Sequence, residues 1–492
     1  MYSPTLPEAQ ALAAAGPCKK IPVSREVFSD FTTPIQLLRV LQGVSRHCYL
    51  LESAEDSQRW GRYTILGYHP RLEVTCADGV VTLRDGETVT HPAGSPGDAL
   101  RTLLAANKSP VVAGLPPFTG GLVGYFAYDY IRYAEPSLAL HARDEDAFKD
   151  MDLMLFDQVI AFDNYRQKLV LIVNADAENL NVSYPAACKA LDALAALVHS
   201  GRPQPHRPGR MTTPLRPYFD ENAYCAMVEK AKGYIREGDI FQVVLSNRIE
   251  AGFEGSLLDA YRVLRCTNPS PYMFYFSSDD IEIAGASPET LVKLERDVLH
   301  TFPLAGTRPR GKTPAEDEAL ERELLVDEKE GAVHSMLVDL GRNDLGKISR
   351  FGTVEVEKYR EIERFSHVMH IGSTGRGELA PGRDAADAVD AILPAGTLSG
   401  APKLRAMEII DELEDCKRGI YGGAVGYLDF TGNLDTCIAI RLAYKKNGKV
   451  FIRSGAGIVA DSVPANEYRE CLNKAQAVVS ALETAQQGGE DL

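Results

Sequence analysis

The chain has 492 residues, 45% of them hydrophobic and 25% charged, with a formal net charge of −15. That is the composition of an ordinary globular protein with room for a sizeable core. The acidic balance argues against a nucleic-acid partner, which needs a basic face, but leaves open a recessed site that focuses positive potential on a small anion. No apolar run approaches the ~20 residues of a membrane span, so no membrane partner is expected. Residues 1–16 lack the basic and long apolar regions of a secretion signal. The nine cysteines show no CxxC spacing, which fits a reducing cytoplasmic location better than a disulfide framework.

Ahead of residue 199, strand-like runs at 48–51, 63–66, 72–76, 80–83 and 169–173 combine with helical periodicity at 96–107 and 184–199. Prolines crowd segment 199–217, blocking both helix and central strand. This seam divides the chain into an N-terminal region, 1–205, and a C-terminal region, 206–492. Beyond it, the spacing of Tyr224, Met227, Val228, Ala231, Tyr234 and Ile235 predicts an amphipathic helix over 222–237. Strands are expected at 240–249, 272–276 and 281–284, and longer helices at 316–340, 401–413 and 464–484. The polar tail 486–492 is expected to fray. Strands and helices mix without strict alternation, which predicts an α+β sandwich rather than a doubly wound sheet or a TIM barrel.

Several strings carry side chains suited to chemistry on a small anion. Glu289 follows Ser287-Pro288 at a strand end, where a carboxyl facing a cleft can have its pKa raised and act as a general acid; it also suits a plain turn. Residues 303–311, Pro-Leu-Ala-Gly-Thr-Arg-Pro-Arg-Gly, read as a tight turn after a strand. Glu330 and His334 stand at i, i+4 on the 316–340 helix, a spacing that serves structure as readily as function, and Arg342-Asn343-Asp344 is expected to fix the turn that follows. His370 shares a strand-like run with His367 and can titrate near neutrality as acid or base, or sit satisfied in the core.

Gly396, Thr397, Ser399 and Gly400 precede the 401–413 helix, offering hydroxyls and amides to an anion as any capped helix start does. Gly455 and Gly457 let backbone amides approach an anion. On the last helix, begun by Pro464 with Asp461 or Ser462 as cap, Glu467, Glu470 and Lys474 share one stripe. Carboxylates for a hard cation beside donors for carboxylates are what an anionic substrate bridged by Mg²⁺ requires. The plain alternative is a solvated face with a Glu470–Lys474 ion pair.

Five strings in one order resemble the anthranilate synthase component I family of chorismate-utilising enzymes. They are Ala-Ser-Pro-Glu-Thr at 286–290, the 303–311 string, Val-Asp-Leu-Gly-Arg-Asn-Asp-Leu-Gly at 338–346, Pro-Ala-Gly-Thr-Leu-Ser-Gly-Ala-Pro-Lys at 394–403, and Gly-Ala-Gly-Ile-Val-Ala-Asp-Ser-Val-Pro at 455–464. Leu-Leu-Glu-Ser at 50–53, Gly-Arg-Tyr-Thr at 61–64 and Phe-Thr-Gly-Gly-Leu-Val-Gly-Tyr at 118–125 extend the resemblance over nearly the whole chain. It implies a large α/β sandwich of orthogonal, antiparallel-rich sheets with the active site in a cleft. It implies Mg²⁺-dependent conversion of chorismate and ammonia to anthranilate and pyruvate, inhibited by tryptophan.

By the same resemblance Glu289 is the general acid and His370 serves the elimination half. Thr307, Thr397, Tyr421, Arg441, Gly455, Gly457 and Lys474 hold the substrate. Glu470, with Glu467 and Glu330, is assigned to Mg²⁺. Glu52, Ser53, Pro271, Tyr272, Met273 and Tyr427 form the tryptophan pocket, with Gly432 and Cys437 nearby, so that region 1–205 carries part of it. No segment resembles a glutamine amidotransferase, which implies ammonia from such a partner subunit or from solution. Ala305 stands where the related aminodeoxychorismate synthases carry a lysine, and this disfavours that alternative. One departure stands out: Val333 replaces a glutamate that the family uses for Mg²⁺, and it is the sole support for a non-catalytic, tryptophan-binding relative.

Overall fold

The computed structural model describes residues 1–54, 60–205, 207–364 and 368–488. His367, His206 of the proline-rich segment and residues 489–492 of the tail lie outside the described residues. Two large sheets built from antiparallel pairs, of 14 and 12 strands, carry the fold, which is the α+β sandwich expected. In the first sheet, Lys20–Phe28, Lys168–Asp176, Gln158–Asp163, Tyr63–Tyr68 and Cys48–Glu52 lie side by side. Cys48–Glu52 then pairs with Tyr272–Ser277, Leu51 opposite Phe274, and the C-terminal strands Glu282–Ser287, Leu442–Lys446, Lys449–Ile458 and Gln242–Glu254 follow. The second sheet is shared in the same way, Gly121–Phe126 pairing with Ala424–Asp429. Each region thus supplies part of both sheets. The proline-rich segment is itself pinned to the first sheet by two short strands, Arg210–Met211 and Arg216–Pro217.

The pleat sorts the core. Along Tyr272–Ser277, Phe274 and Phe276 enter the layer between the sheets with Tyr49, Phe156, Tyr444 and Phe451, while Met273 and Tyr275 join the layer on the opposite face. Helices Leu180–Ser200, Leu258–Thr267 and Pro464–Gln486 cover that outer face, and Pro96–Ala106 and Ala385–Ile392 cover the second sheet. Each large apolar side chain buried this way contributes ~1.5–3 kcal/mol, and a one-residue slip would turn the whole set to the wrong side.

Most expected helices are present with nearly the expected ends. Helix Glu221–Glu237 buries Tyr224, Met227, Val228 and Ala231, is capped by Asp220, which accepts from the Ala223 amide, and ends at Gly238 with φ 86°. The single helix expected at 316–340 is instead two, Pro314–Val326 and Glu328–Gly346. Asp327 adopts an extended conformation (ψ 107°) and accepts from the Glu330 amide, so it ends one helix and caps the next. Arg342, Asn343 and Asp344 lie inside the second helix rather than in a turn after it, and Asp344 binds Lys403 Nζ at 2.7 Å. The last helix has Pro464 in its first turn, but its cap residue is Val463 with no side-chain bond; the Ser462 hydroxyl accepts from the Val459 amide instead.

Two neighbouring segments step between the sheets. The chain leaves the first sheet at Ser287 and enters the second at Thr290; it leaves the second at Ile438 and re-enters the first at Leu442. Hydrogen bonds tie the two steps together: Ala286 N to Arg441 O at 3.1 Å, Ile438 N to Glu289 O at 2.9 Å, and Ser287 Oγ to Ile438 O at 2.7 Å. Glu289 rides on one step and Arg441 on the other.

Candidate active site

Glu289 is half-buried between these steps and accepts a hydrogen bond from Thr397 Oγ1 at 3.1 Å. Burial pushes its carboxyl up to about 7, against the opposing pull of Thr397, Arg441 and Lys474. Near neutrality it therefore holds a proton that an exposed glutamate would have released. Thr397 comes from the one-turn helix Gly396–Leu398, beneath the start of helix Lys403–Glu414.

Arg441 adopts φ 54°, which turns its side chain out of the strand path. Burial lowers its pKa, while Tyr421, Glu289 and Glu470 oppose that shift. Among the described residues its guanidinium makes no hydrogen bond or ion pair, although it acts on Glu289, His370 and Glu470 through space. A half-buried cation with no hydrogen bond among the described residues, beside an acid of raised pKa, suits an anion.

Lys474 adds a second cation. Its Nζ lies 2.6 Å from Glu470 Oε1 and donates to the Gly455 carbonyl at 3.2 Å, which ties the last helix to the glycine strand. Gly455 is required there: a Cβ would lie 2.6 Å from the Leu245 carbonyl and 3.0 Å from the Tyr421 hydroxyl. Tyr421 is buried and its phenol pKa is raised by that burial, so it remains a neutral donor. Gly457 stands against the Gln242 side chain two residues along the same strand.

A second group borders the first. His370 Nδ1 lies 2.8 Å from the Gly306 carbonyl and 3.2 Å from Thr307 Oγ1. The carbonyl fixes the proton on Nδ1 and makes Nε2 the basic nitrogen. Burial holds the His370 pKa below the usual imidazole value, with the Gly306 bond opposing it and Arg441 adding to it. Gly306, at φ 64°, packs against Glu330, whose Oε2 would lie 3.4 Å from a Cβ placed there. His334 is elsewhere: fully buried, with Nε2 2.7 Å from Ser373 Oγ, it belongs to the core.

Glu467 and Glu470 project from the first turns of Pro464–Gln486, and Glu330 from the other group. The three are hard oxygen donors of the kind Mg²⁺ takes, but they do not converge as a set within 4.8 Å of one another.

The residues assigned to tryptophan form a separate site. Glu52, Ser53, Pro271, Tyr272, Met273 and Tyr427 all line one cavity of about 620 Å³, with Cys437; Gly432 is not in its wall. The Glu52 carboxylate is held by Arg265 Nε at 2.6 Å and the Tyr261 hydroxyl at 2.6 Å. Sequence reasoning missed the rest of the charged wall, Arg62, Arg166, Lys293, Glu295, Arg296 and Asp435. It also missed a buried cluster beneath the cleft, in which Glu414 binds both Arg418 and Arg453 at 2.6 and 2.8 Å. Only the i, i+4 spacing of Glu414 and Arg418 hinted at that cluster; Arg453 arrives through tertiary structure.

Two cations, a carboxyl raised by burial to about 7 and a tautomer-fixed histidine are the groups that acid-assisted chemistry on a small anion needs. The chain belongs to the chorismate binding enzyme family, whose model matches residues 46–480. It is 44% identical to anthranilate synthase component 1 of Acetivibrio thermocellus over 494 residues, covering 99% of each chain. Its identity to the component 1 of Pseudomonas aeruginosa is 45% over 491 residues, 97% of this chain and 98% of that one. The crystal structure of anthranilate synthase component I from Streptococcus pneumoniae matches with a TM-score of 0.76 at 39% identity, over 85% of this chain and 92% of that one. The chain is an enzyme of this family. Among its described residues, no helix is long and apolar enough to cross a membrane.

Proposed function

We propose that the chain is the chorismate-converting subunit of an anthranilate synthase, adding ammonia at C2 of chorismate and eliminating pyruvate to leave anthranilate. What carries this reading is Glu289, held by Thr397 and raised by burial to about 7, together with Arg441, which makes no hydrogen bond or ion pair among the described residues. Chorismate brings two carboxylates and a hydroxyl that leaves poorly. Arg441 and Lys474, with the Gly455 and Gly457 amides and the Tyr421 and Thr397 hydroxyls, bind the carboxylates and ring. As ammonia bonds to C2, both ring double bonds shift by one position and the C4 oxygen departs as water, taking its proton from Glu289, while the added nitrogen releases one of its own protons. In the second half, C2 loses its proton and the enolpyruvyl group leaves as pyruvate, with His370 Nε2 placed to move the proton. Thr307 and the Gly306 carbonyl hold that ring in register.

Glu470, with Glu467 and Glu330, is the set that would hold Mg²⁺, which when bound would neutralise a substrate carboxylate. Val333 lies one turn after Glu330 and offers no ligand atom. Ammonia comes from glutamine through a partner amidotransferase subunit. Ala305, opposite Ile371 on the strand carrying Thr307, leaves room for free ammonia where a lysine would compete. Tryptophan occupies the 620 Å³ cavity as feedback inhibitor, its indole against Tyr272, Met273 and Tyr427 and its charged end near Asp435 and the basic wall residues. The nine unpaired cysteines suit a cytoplasmic location.

The test is anthranilate fluorescence from the purified chain with chorismate, ammonium and Mg²⁺, with and without tryptophan. Mg²⁺-dependent product suppressed by tryptophan supports the reading; isochorismate or aminodeoxychorismate in place of anthranilate overturns it.

A further inference from the structure

The cavity and the catalytic acid share a hydrogen-bonded chain. The Tyr272 hydroxyl donates to Asp435 Oδ1 at 2.8 Å and lies 3.0 Å from Thr290 Oγ1. Tyr272 has one proton and gives it to Asp435, so the Thr290 hydroxyl donates to the Tyr272 oxygen. Tyr272 stands in the first sheet, opposite Ser287, whereas Thr290 and Asp435 stand in the second. The tyrosine therefore bridges the two sheets at the residue directly after Glu289. Tyr272 and Asp435 face the cavity; Thr290 does not.

We propose that the Thr290–Tyr272–Asp435 chain positions Glu289 for proton transfer, and that a ligand in the cavity acts on catalysis by breaking it. The regulatory half rests on the reading of the cavity as a tryptophan site; the positioning half does not. A zwitterionic amino acid in the cavity offers its ammonium group to Asp435 and its ring to Tyr272, so it competes for both acceptor and donor. Once Tyr272 turns away, the Thr290 hydroxyl loses its acceptor, and the 287–290 step keeps its backbone bonds and the Ser287–Ile438 bond but no side-chain link to the first sheet at Thr290. Glu289 then shifts against Thr397, its 3.1 Å neighbour. The charged groups acting on Glu289 are Arg441 and Lys474, and those acting on Asp435 are Lys293 and Glu295, so the step lies between two charged clusters. Bonds in such a chain reinforce one another, so losing one weakens the rest. A ligand can shift the equilibrium only by favouring the broken state.

Thr290→Val removes the link without altering the cavity wall, and Thr290→Ser keeps the hydroxyl. With ammonium as nitrogen source, Thr290→Val is expected to lower kcat roughly fivefold with KM for chorismate unchanged. Calorimetry should show it binding L-tryptophan at least as tightly as the parent, while saturating tryptophan inhibits it several-fold less. Thr290→Ser should restore both properties, which general loss of packing would not allow. Parental kcat and full inhibition in Thr290→Val, or a Thr290→Ser variant as impaired as Thr290→Val, overturns the proposal. If the parent binds no tryptophan, the cavity reading and the regulatory half fall together, and the kcat values of the two variants still decide the positioning half.

Discussion

Two groups of carboxylate and guanidinium lie close together in this molecule and behave in opposite ways. Beneath the cleft, Glu414 accepts from the Ser246 amide at 2.7 Å and from both Arg418 and Arg453, and Arg418 also donates to the carbonyls of Leu398 and Val244. Burial works against the Glu414 carboxylate, yet the two arginines hold its pKa below the ordinary value. In the cleft, Glu289 and Arg441 make no bond to each other, and burial drives Glu289 up and Arg441 down. The satisfied cluster fixes the floor: Leu398 adjoins Thr397, and Val244 pairs with Gly457. The unsatisfied pair keeps its interaction energy for a ligand. Residue type does not distinguish the two; completeness of pairing does.

The contrast can be broken from either side. Glu289→Gln should lower kcat by ~10³-fold, within the range a positioned acid contributes, without loss of thermal stability. Glu414→Gln should do the reverse, lowering stability by ~3 kcal/mol in denaturant titration because it strands two buried guanidiniums, while correctly folded protein keeps its KM. Arg441→Met should raise KM for chorismate by ~30-fold in steady-state assays, the loss expected when a buried charge pair is truncated.

Two smaller effects sharpen the comparison. Val333→Glu, adding a carboxylate one turn from Glu330, should tighten Mg²⁺ about tenfold in activity titrations; an unchanged requirement would place that position away from the metal. The folded Glu289 binds its proton up to about pH 7, and the unfolded one only to about pH 4. Its burial therefore destabilises the fold progressively as pH rises between those values, and fully above them. Glu289→Gln should raise the melting temperature more at about pH 8 than at about pH 5.

The sequence showed much of this where signals were local. The apolar stripe of helix Glu221–Glu237 and the strands around Tyr272–Ser277 follow from periodicity. The break at Asp327 was legible as an Asp-x-x-Glu capping signal, but the continuous apolar spacing on either side masked it. The candidate acid could be named because it sits inside a contiguous family string, 286–290, whereas His370, Arg441 and Lys474 lie outside those strings and came from the wider resemblance. What could not be read was the meeting of distant segments. Nothing near Glu289 in the chain shows that 438–442 crosses the sheets beside it, or that Tyr272 reaches Thr290. Arg453 and Glu414, likewise, meet only because Gln242–Glu254 and Lys449–Ile458 pair over helix Lys403–Glu414.

The most direct measurement is kcat against pH, at constant free ammonia and saturating chorismate and Mg²⁺, for the parent and Glu289→Gln. A protonated Glu289 as the acid predicts parental activity that falls as pH rises through about 7, and a variant that is low and flat across the same range. A variant within tenfold of the parent and sharing its pH profile would show that the proton comes from elsewhere.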